Sequence, residues 1–288
     1  MKYSKVLTKN ISQIKHRINI VGKVALIIVD GVPGEGKSTL GIQVLEDYKG
    51  GGIDWGNQYA NGFKEFSSKI KKCIKLGLHE IIYDESGDYN RRGWASSINK
   101  HLNRMLEVYR TFKILIIMIQ PSFYKIDNDL LVTGVPRLLL HCHGRDLKRG
   151  CFKGYGLWRM TYIKKNMDNR NLPCKQEAYN KVSANFTGLF FDLPKAKREK
   201  LSEISTGAKE DVVEEIEIVQ NGWLDVTKIS ATLDRSIHWV RQKITKMKLK
   251  PIKVYKKRKF YDKEIIWHLR EELYTPDKSK NEGEVETI

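Results

Sequence analysis

The residues Gly31-Val32-Pro33-Gly34-Glu35-Gly36-Lys37-Ser38, followed by Thr39, carry the spacing G-x-x-x-x-G-K-S. That combination suits one kind of chemistry, the holding of nucleotide phosphates. Glycines let backbone N–H groups curl around phosphate oxygens without Cβ clashes. The Lys37 ammonium would reach the β- and γ-phosphates, and the Ser38 hydroxyl is a ligand type that Mg²⁺ accepts. A glycine-rich surface turn could show the same letters, but the flanks argue against it. The apolar run Val24–Val29 reads as a buried strand of a parallel sheet, and Thr39–Leu45 reads as a helix whose positive end faces the phosphates.

A phosphate loop needs a partner for its metal. "HEIIYDESGD" places apolar Ile81, Ile82 and Tyr83 before Asp84 and Glu85. An aspartate at the C-terminal end of a parallel strand sits where Mg²⁺ needs a carboxylate. A glutamate beside it can hold and polarise an attacking water, which favours hydrolysis over phosphoryl transfer to a small acceptor. A solvated acidic strand end is the plainer alternative. In "KILIIMIQP" a buried strand ends at Ile119 with Gln120 just beyond, a polar residue placed to sense a γ-phosphate or simply to cap the strand. Arg91, Arg92, Arg110, Arg137 and Arg145 are candidates for a finger that reaches into a neighbouring subunit. The sequence does not choose among them.

The elements that must position these residues alternate as in an α/β domain over residues 1–195. Candidate strands are Val24–Asp30, Glu80–Asp84, Lys113–Ile119, Arg137–His143 and Gly156–Lys164, with an amphipathic helix near Ala95–Arg110. Residues 196–220 turn acidic and read as a linker containing a short helix. A new pattern occupies residues 221–275, and the polar tail 276–288 is expected to be disordered.

The chain has 288 residues, room for one α/β domain and a small second one. A net charge of +18 attracts phosphate polymers or anionic surfaces. The strongly apolar run Ile114–Ile119 is far too short to span a bilayer, and the first apolar run leads directly into the phosphate loop, so neither membrane span nor secretory leader is expected. Cys73, Cys142, Cys151 and Cys174 lack the paired spacing of a disulfide framework or zinc ribbon and fit a reducing cytoplasm. His141 and His143 flank Cys142 on one strand face, where a plain strand is a better reading than a metal site.

"GVPGEGKS", "IIYDESGDYNRR", an amphipathic helix, "ILIIMIQPSFYKIDNDL" and "RLLLHCHGRD" together resemble the zonular-occludens-toxin-like ATPases, within the wider HerA/FtsK-type group of DNA-pumping P-loop proteins. The similarity covers roughly residues 20–165. It implies a RecA-like core with strand order 5-1-4-3-2, use of ATP and Mg²⁺, and assembly into a homo-oligomeric ring, a hexamer being one form. The chain departs from many such proteins in lacking a membrane segment, which leaves the family's phage-assembly role without support here.

Residues 223–273 resemble winged helix-turn-helix domains of the excisionase and MerR type. A first helix is expected from Val226 to Thr232 and a second from Arg235 to Lys246. In the second, Ile237, Val240, Ile244 and Met247 form an apolar stripe. Arg235, His238, Gln242, Thr245 and Lys246 then face outward, as side chains that can meet base edges and phosphates in a major groove. Lys256, Lys257, Arg258 and Lys259 form a basic hairpin tip that suits a DNA backbone or minor groove. Asp262–Glu272 closes the domain as a helix capped by Asp262, and a protein-docking winged helix remains the alternative.

Two readings follow. In the first, an ATP-hydrolysing motor or remodelling enzyme acts on duplex DNA, in translocation, packaging, replication or segregation of a mobile element or virus. In the second, ATP controls assembly of a DNA-binding switch without translocation. A membrane-surface ATPase is a weaker third, since no basic amphipathic helix is evident.

Overall fold

β1 (Ala25–Gly31) is buried along its whole length. A strand reaches that state only with a neighbour on each edge and a packed layer on each face. The computed structural model describes residues 4–22, 24–84, 112–126, 128–145, 149–167 and 175–274. Both neighbours of β1 run parallel to it: β4 (Leu115–Ile119) and β5 (Pro136–Arg145). Beyond β4 lie β3 (Glu80–Asp84) and the short β2 (Tyr59–Asn61), also parallel. Beyond β5, β6 (Arg149–Gly156) and β7 (Phe186–Phe191) are antiparallel. The sheet order is β2-β3-β4-β1-β5-β6-β7. Read from β5, its parallel part is 5-1-4-3-2, the arrangement of a RecA-like core.

Helices cover both faces. On one, α1 (Lys5–Val21) sets Leu7, Ile11, Ile14 and Ile18 against the sheet beside α2 (Lys37–Lys49). On the other, α3 (Phe63–Lys75), α4 (Asn128–Val132) and α5 (Leu157–Met167) contribute Phe66, Ile70, Leu130, Met160 and Ile163. The helix expected near Ala95–Arg110 lies outside the described residues.

The expected strand Gly156–Lys164 is mostly α5. Its aromatic and β-branched residues suit a strand, but Met160, Ile163 and Lys164 are buried at helical spacing while Trp158, Thr161, Tyr162 and Lys165 are exposed. Packing overrides propensity here. Lys164 also ties the helix down, donating to the carbonyls of Tyr124 and, at 2.7 Å, of Ile126. The true strands on this side were masked by glycines. Gly150, Gly154 and Gly188 each pair across β6–β7 with Phe190, Phe186 and Phe152, whose rings lie within 2.5 Å of where a Cβ would stand. A side chain at any of these positions would collide with a ring.

The acidic stretch, expected to hold a short helix, is one continuous helix, α6 (Lys195–Gln220). It contains no proline, it is rich in strong helix formers, and Leu201 and Ile204 near its start pack on the core. The chain divides into two compact units, Met1–Lys209 and Glu210–Ile288.

In the second unit, β8 (Leu224–Asp225) leads into α7 (Val226–Leu233) and α8 (Ile237–Lys246), followed by β9 (Lys253–Tyr255), β10 (Arg258–Tyr261) and α9 (Ile265–Tyr274). The strands form an antiparallel sheet of order β8-β10-β9. Its core is Ile229, Leu233, Val240, Ile244, Tyr261, Ile265 and Leu269. Three expectations shift. Arg235 precedes α8, because Ser236 caps it by accepting from Trp239 N at 3.2 Å. Ile237 is 39% exposed, since at the first position of α8 it lies outside the buried stripe. Asp262 accepts from Glu264 N in a turn, and α9 begins only at Ile265. Among the described residues no helix is long and apolar enough to cross a membrane.

Candidate functional site

β1 delivers the chain to the loop at the C-terminal edge of the sheet. Gly31 has φ +139°, and a Cβ there would come within 2.4 Å of the Cys142 carbonyl oxygen on β5. Only glycine lets the loop leave so close to its neighbour. Gly34 and Gly36 also hold left-handed φ, +93° and +79°. Val32, Pro33 and Gly34 form an exposed tip, whereas Thr39 is buried. Gly36 is the N-cap of α2, with no side-chain hydrogen bond and no acidic residue in the first turn. By contrast α7 and α8 are capped by Asp225 and Ser236. The start of α2 thus keeps donors and a positive dipole end that fit an anion.

Lys37 Nζ donates to the Val32 carbonyl across the loop at 3.0 Å. Burial pushes its ammonium below the ordinary lysine value, while Cys142, Asp84, Asp30 and Glu35 pull the other way. A cation partly stripped of water is one that gains strongly from an anionic partner.

Asp84 ends β3 in register with Ile119 on β4 and Asn61 on β2, and only 4% of it is exposed. Its Oδ2 accepts from Ser38 Oγ at 2.8 Å and from the Tyr59 hydroxyl at 2.6 Å. Two residues chosen from sequence, Ser38 and Asp84, therefore meet, and a third that was not chosen joins them. No sequence motif marks Tyr59, because β2 is three residues long and carries no clear period. Burial and the Asp84 carboxylate push its phenol well above the ordinary tyrosine value, so it stays a neutral donor. The donor set of hydroxyl and carboxylate oxygens fits a hard cation such as Mg²⁺.

Gln120 follows β4, and its backbone N–H donates to Val29 O at 3.0 Å. The side chain is 3% exposed, and its Nε2 has no acceptor among the described residues. A buried donor left so costs about 1–3 kcal/mol, which an anionic oxygen would return. Glu85, Arg91, Arg92 and Arg110 lie outside the described residues, as does the side chain of Arg145. Arg137 is partly buried, and burial with nearby Arg17 lowers its guanidinium below the ordinary value.

Asp30, the residue before Gly31, is 1% exposed. It accepts from Phe123 N at 2.9 Å and from the Tyr179 hydroxyl, and its Oδ1 lies 2.9 Å from His141 Nδ1. His141 in turn stacks on Tyr179, with ring centroids 3.7 Å apart. The root of the loop is thereby bolted to β5, to the turn after Gln120 and to the Lys175–Tyr179 turn. His141 is engaged in that bolt. Among the described residues no group of three or more metal-ligating side chains converges.

On the second unit Arg235, His238, Gln242, Thr245 and Lys246 are all exposed, as are Lys256, Lys257, Arg258 and Lys259. Lys256 and Lys257 occupy the β9–β10 turn with φ +46° and +65°. Arg258 reaches back to Asp225 Oδ2 at 3.4 Å, a long hydrogen bond.

No known family profile and no curated protein matches the chain. Among solved structures, the N-terminal domain of zonular occludens toxin from Neisseria meningitidis is similar at 13% identity, covering 60% of this chain and 96% of that one, with a TM-score of 0.32. The flagellar accessory protein FlaH from Methanocaldococcus jannaschii is similar at 14% identity over 49% of this chain and 83% of that one, with a TM-score of 0.26. Likenesses this distant carry no functional argument. The strand order and the loop carry it instead.

Proposed function

We propose that the chain is a Mg²⁺-dependent ATPase whose second unit, a winged helix-turn-helix, binds duplex DNA. The observation behind the first half is the meeting of Ser38 and Asp84 at 2.8 Å beside an uncapped helix start and a half-desolvated lysine. In this reading Gly31 to Thr39 wrap the phosphates with backbone N–H groups, and Lys37 neutralises the β- and γ-oxygens. Ser38 and Asp84 hold Mg²⁺, which when bound offsets charge on the phosphoryl oxygens. Gln120 offers its amide to the γ-phosphate. Glu85, adjacent to Asp84 in sequence, takes the role of the carboxylate that orients water.

The second half is supported by a net charge of +18 and by exposed basic and amide side chains on α8 and on the β9–β10 hairpin. In this reading α8 enters the major groove and the hairpin follows the backbone. The work done on DNA is translocation or remodelling by a homo-oligomer, with a ring as the expected form. An ATP-controlled switch without translocation is the competing reading.

One set of measurements tests both halves. Glu85→Gln should keep ATP binding and lose turnover, because an amide does not polarise water as a carboxylate does. Wild-type turnover in that variant would remove Glu85 from the mechanism. DNA-stimulated hydrolysis with displacement of a bound roadblock indicates a motor. Slow turnover, ATP-dependent assembly on DNA and no displacement indicate the switch.

A further inference from the structure

Tyr59 stands beside the Ser38–Asp84 pair without any sequence motif pointing to it. It lies on β2, opposite Ile82 of β3, and is 3% exposed. Its ring packs against Trp55 with centroids 5.6 Å apart, and its carbonyl accepts from Lys69 Nζ at 2.6 Å. Both ends of the residue are therefore held. The hydroxyl donates at 2.6 Å to Asp84 Oδ2, the oxygen that also accepts from Ser38. Ser38 is a short, half-buried side chain that can reorient by one rotation, whereas the phenol on its packed ring cannot. Of these donors, Ser38 and Tyr59, it is Tyr59 that can keep the carboxylate in place when Ser38 turns to another partner.

We propose that Tyr59 is a positioning residue for the metal site: its phenol fixes the Asp84 carboxylate, and so sets affinity for Mg²⁺ without setting affinity for the nucleotide itself. The inference rests on the reading of Ser38 and Asp84 as Mg²⁺ ligands. Outer donors to a ligating carboxylate typically govern metal affinity by about 10–100-fold. A tyrosine that only fills the core beside β3 would affect stability and leave metal affinity alone.

The test is binding of a fluorescent ADP analogue to the full chain, titrated with Mg²⁺ and repeated in EDTA. Tyr59→Phe keeps the ring and removes the donor. Half-saturating Mg²⁺ should rise about tenfold or more, while affinity in EDTA stays within about twofold of wild type. In an Asp84→Asn background the same change should add nothing to the metal requirement. A folded Tyr59→Phe chain with wild-type Mg²⁺ dependence overturns the inference. Should that variant not fold, 3-fluorotyrosine at position 59 of the otherwise unchanged chain replaces it. Its fluorine resonance should move with Mg²⁺ and ADP but not with ADP in EDTA, and no metal-dependent movement counts against the proposal. If the wild-type chain binds no nucleotide, the phosphate-loop reading fails and this inference with it. Binding that depends on Lys37 but is indifferent to Tyr59 defeats the inference alone.

Discussion

Lys37 gives the sharpest expectation at the level of single residues. Its ammonium is the one mobile cation of the loop, and burial has already raised the cost of leaving it unpaired. Lys37→Ala should weaken ATP binding roughly 10–100-fold, the loss of a charge-assisted hydrogen bond worth about 1.5–3 kcal/mol. Equilibrium binding of a labelled nucleotide checks it, and affinity unchanged from wild type would remove the lysine from the site. A pH effect is expected from Cys73. Burial, helped by Glu80 and Asp54, raises its thiol from 9.0 to about 11. Between those values the unfolded chain loses the proton that the folded chain keeps. Its contribution is thus complete below pH 9 and is lost as pH rises toward 11. Urea midpoints should fall over that window, and less steeply in Cys73→Ala. An equal slope in both would show that other groups dominate.

Among the elements, the β9–β10 hairpin carries a visible conflict between stability and the proposed task. Its turn places Lys256 and Lys257 at left-handed φ, where asparagine and glycine are the favoured residues. Each lysine costs about 1–2 kcal/mol there. If the turn serves to present charge to DNA, the pair Lys256→Asn and Lys257→Gly should raise stability by about 1–2 kcal/mol while weakening DNA binding. It should also lower the salt slope of binding by about two units, one for each phosphate no longer neutralised. Denaturant melts and titrations at two salt concentrations read both quantities. Higher stability with unchanged DNA affinity would mean that the hairpin does not touch DNA. Gln242, exposed on α8, should behave differently. Its replacement by alanine should shift preference between duplex sequences by about 1–3 kcal/mol rather than weaken all alike.

At the scale of the whole molecule, the second unit has a core of its own, with Val240, Ile229 and Leu269 completely buried. The segment from about Asn221 to Tyr274 should therefore fold alone, with a cooperative thermal transition, and bind duplex DNA with affinity that falls steeply with salt. A folded segment without salt-dependent binding would make this unit a docking module and leave the ATPase reading untouched.

Much of this was legible in the chain itself. The glycine-rich loop Gly31–Ser38, the strand ending at Asp84 and the strand ending before Gln120 are local signals, because glycine spacing and short apolar runs with polar ends depend on nearest neighbours in sequence. The basic hairpin and the apolar stripe of α8 are local in the same sense. Other features became visible only when distant segments met. Tyr59 owes its place to the pairing of β2 with β3, and the Asp30–His141–Tyr179 bolt to three elements converging on one buried carboxylate. Gly150, Gly154 and Gly188 of β6 and β7 look like strand breakers until a phenylalanine stands opposite each. The segment 157–164 carries strand propensity but folds as α5, because its apolar side chains find a buried face only at helical spacing. Local pattern sufficed where a residue's neighbours in sequence are also its partners. Tertiary structure decided wherever the partner came from another part of the chain.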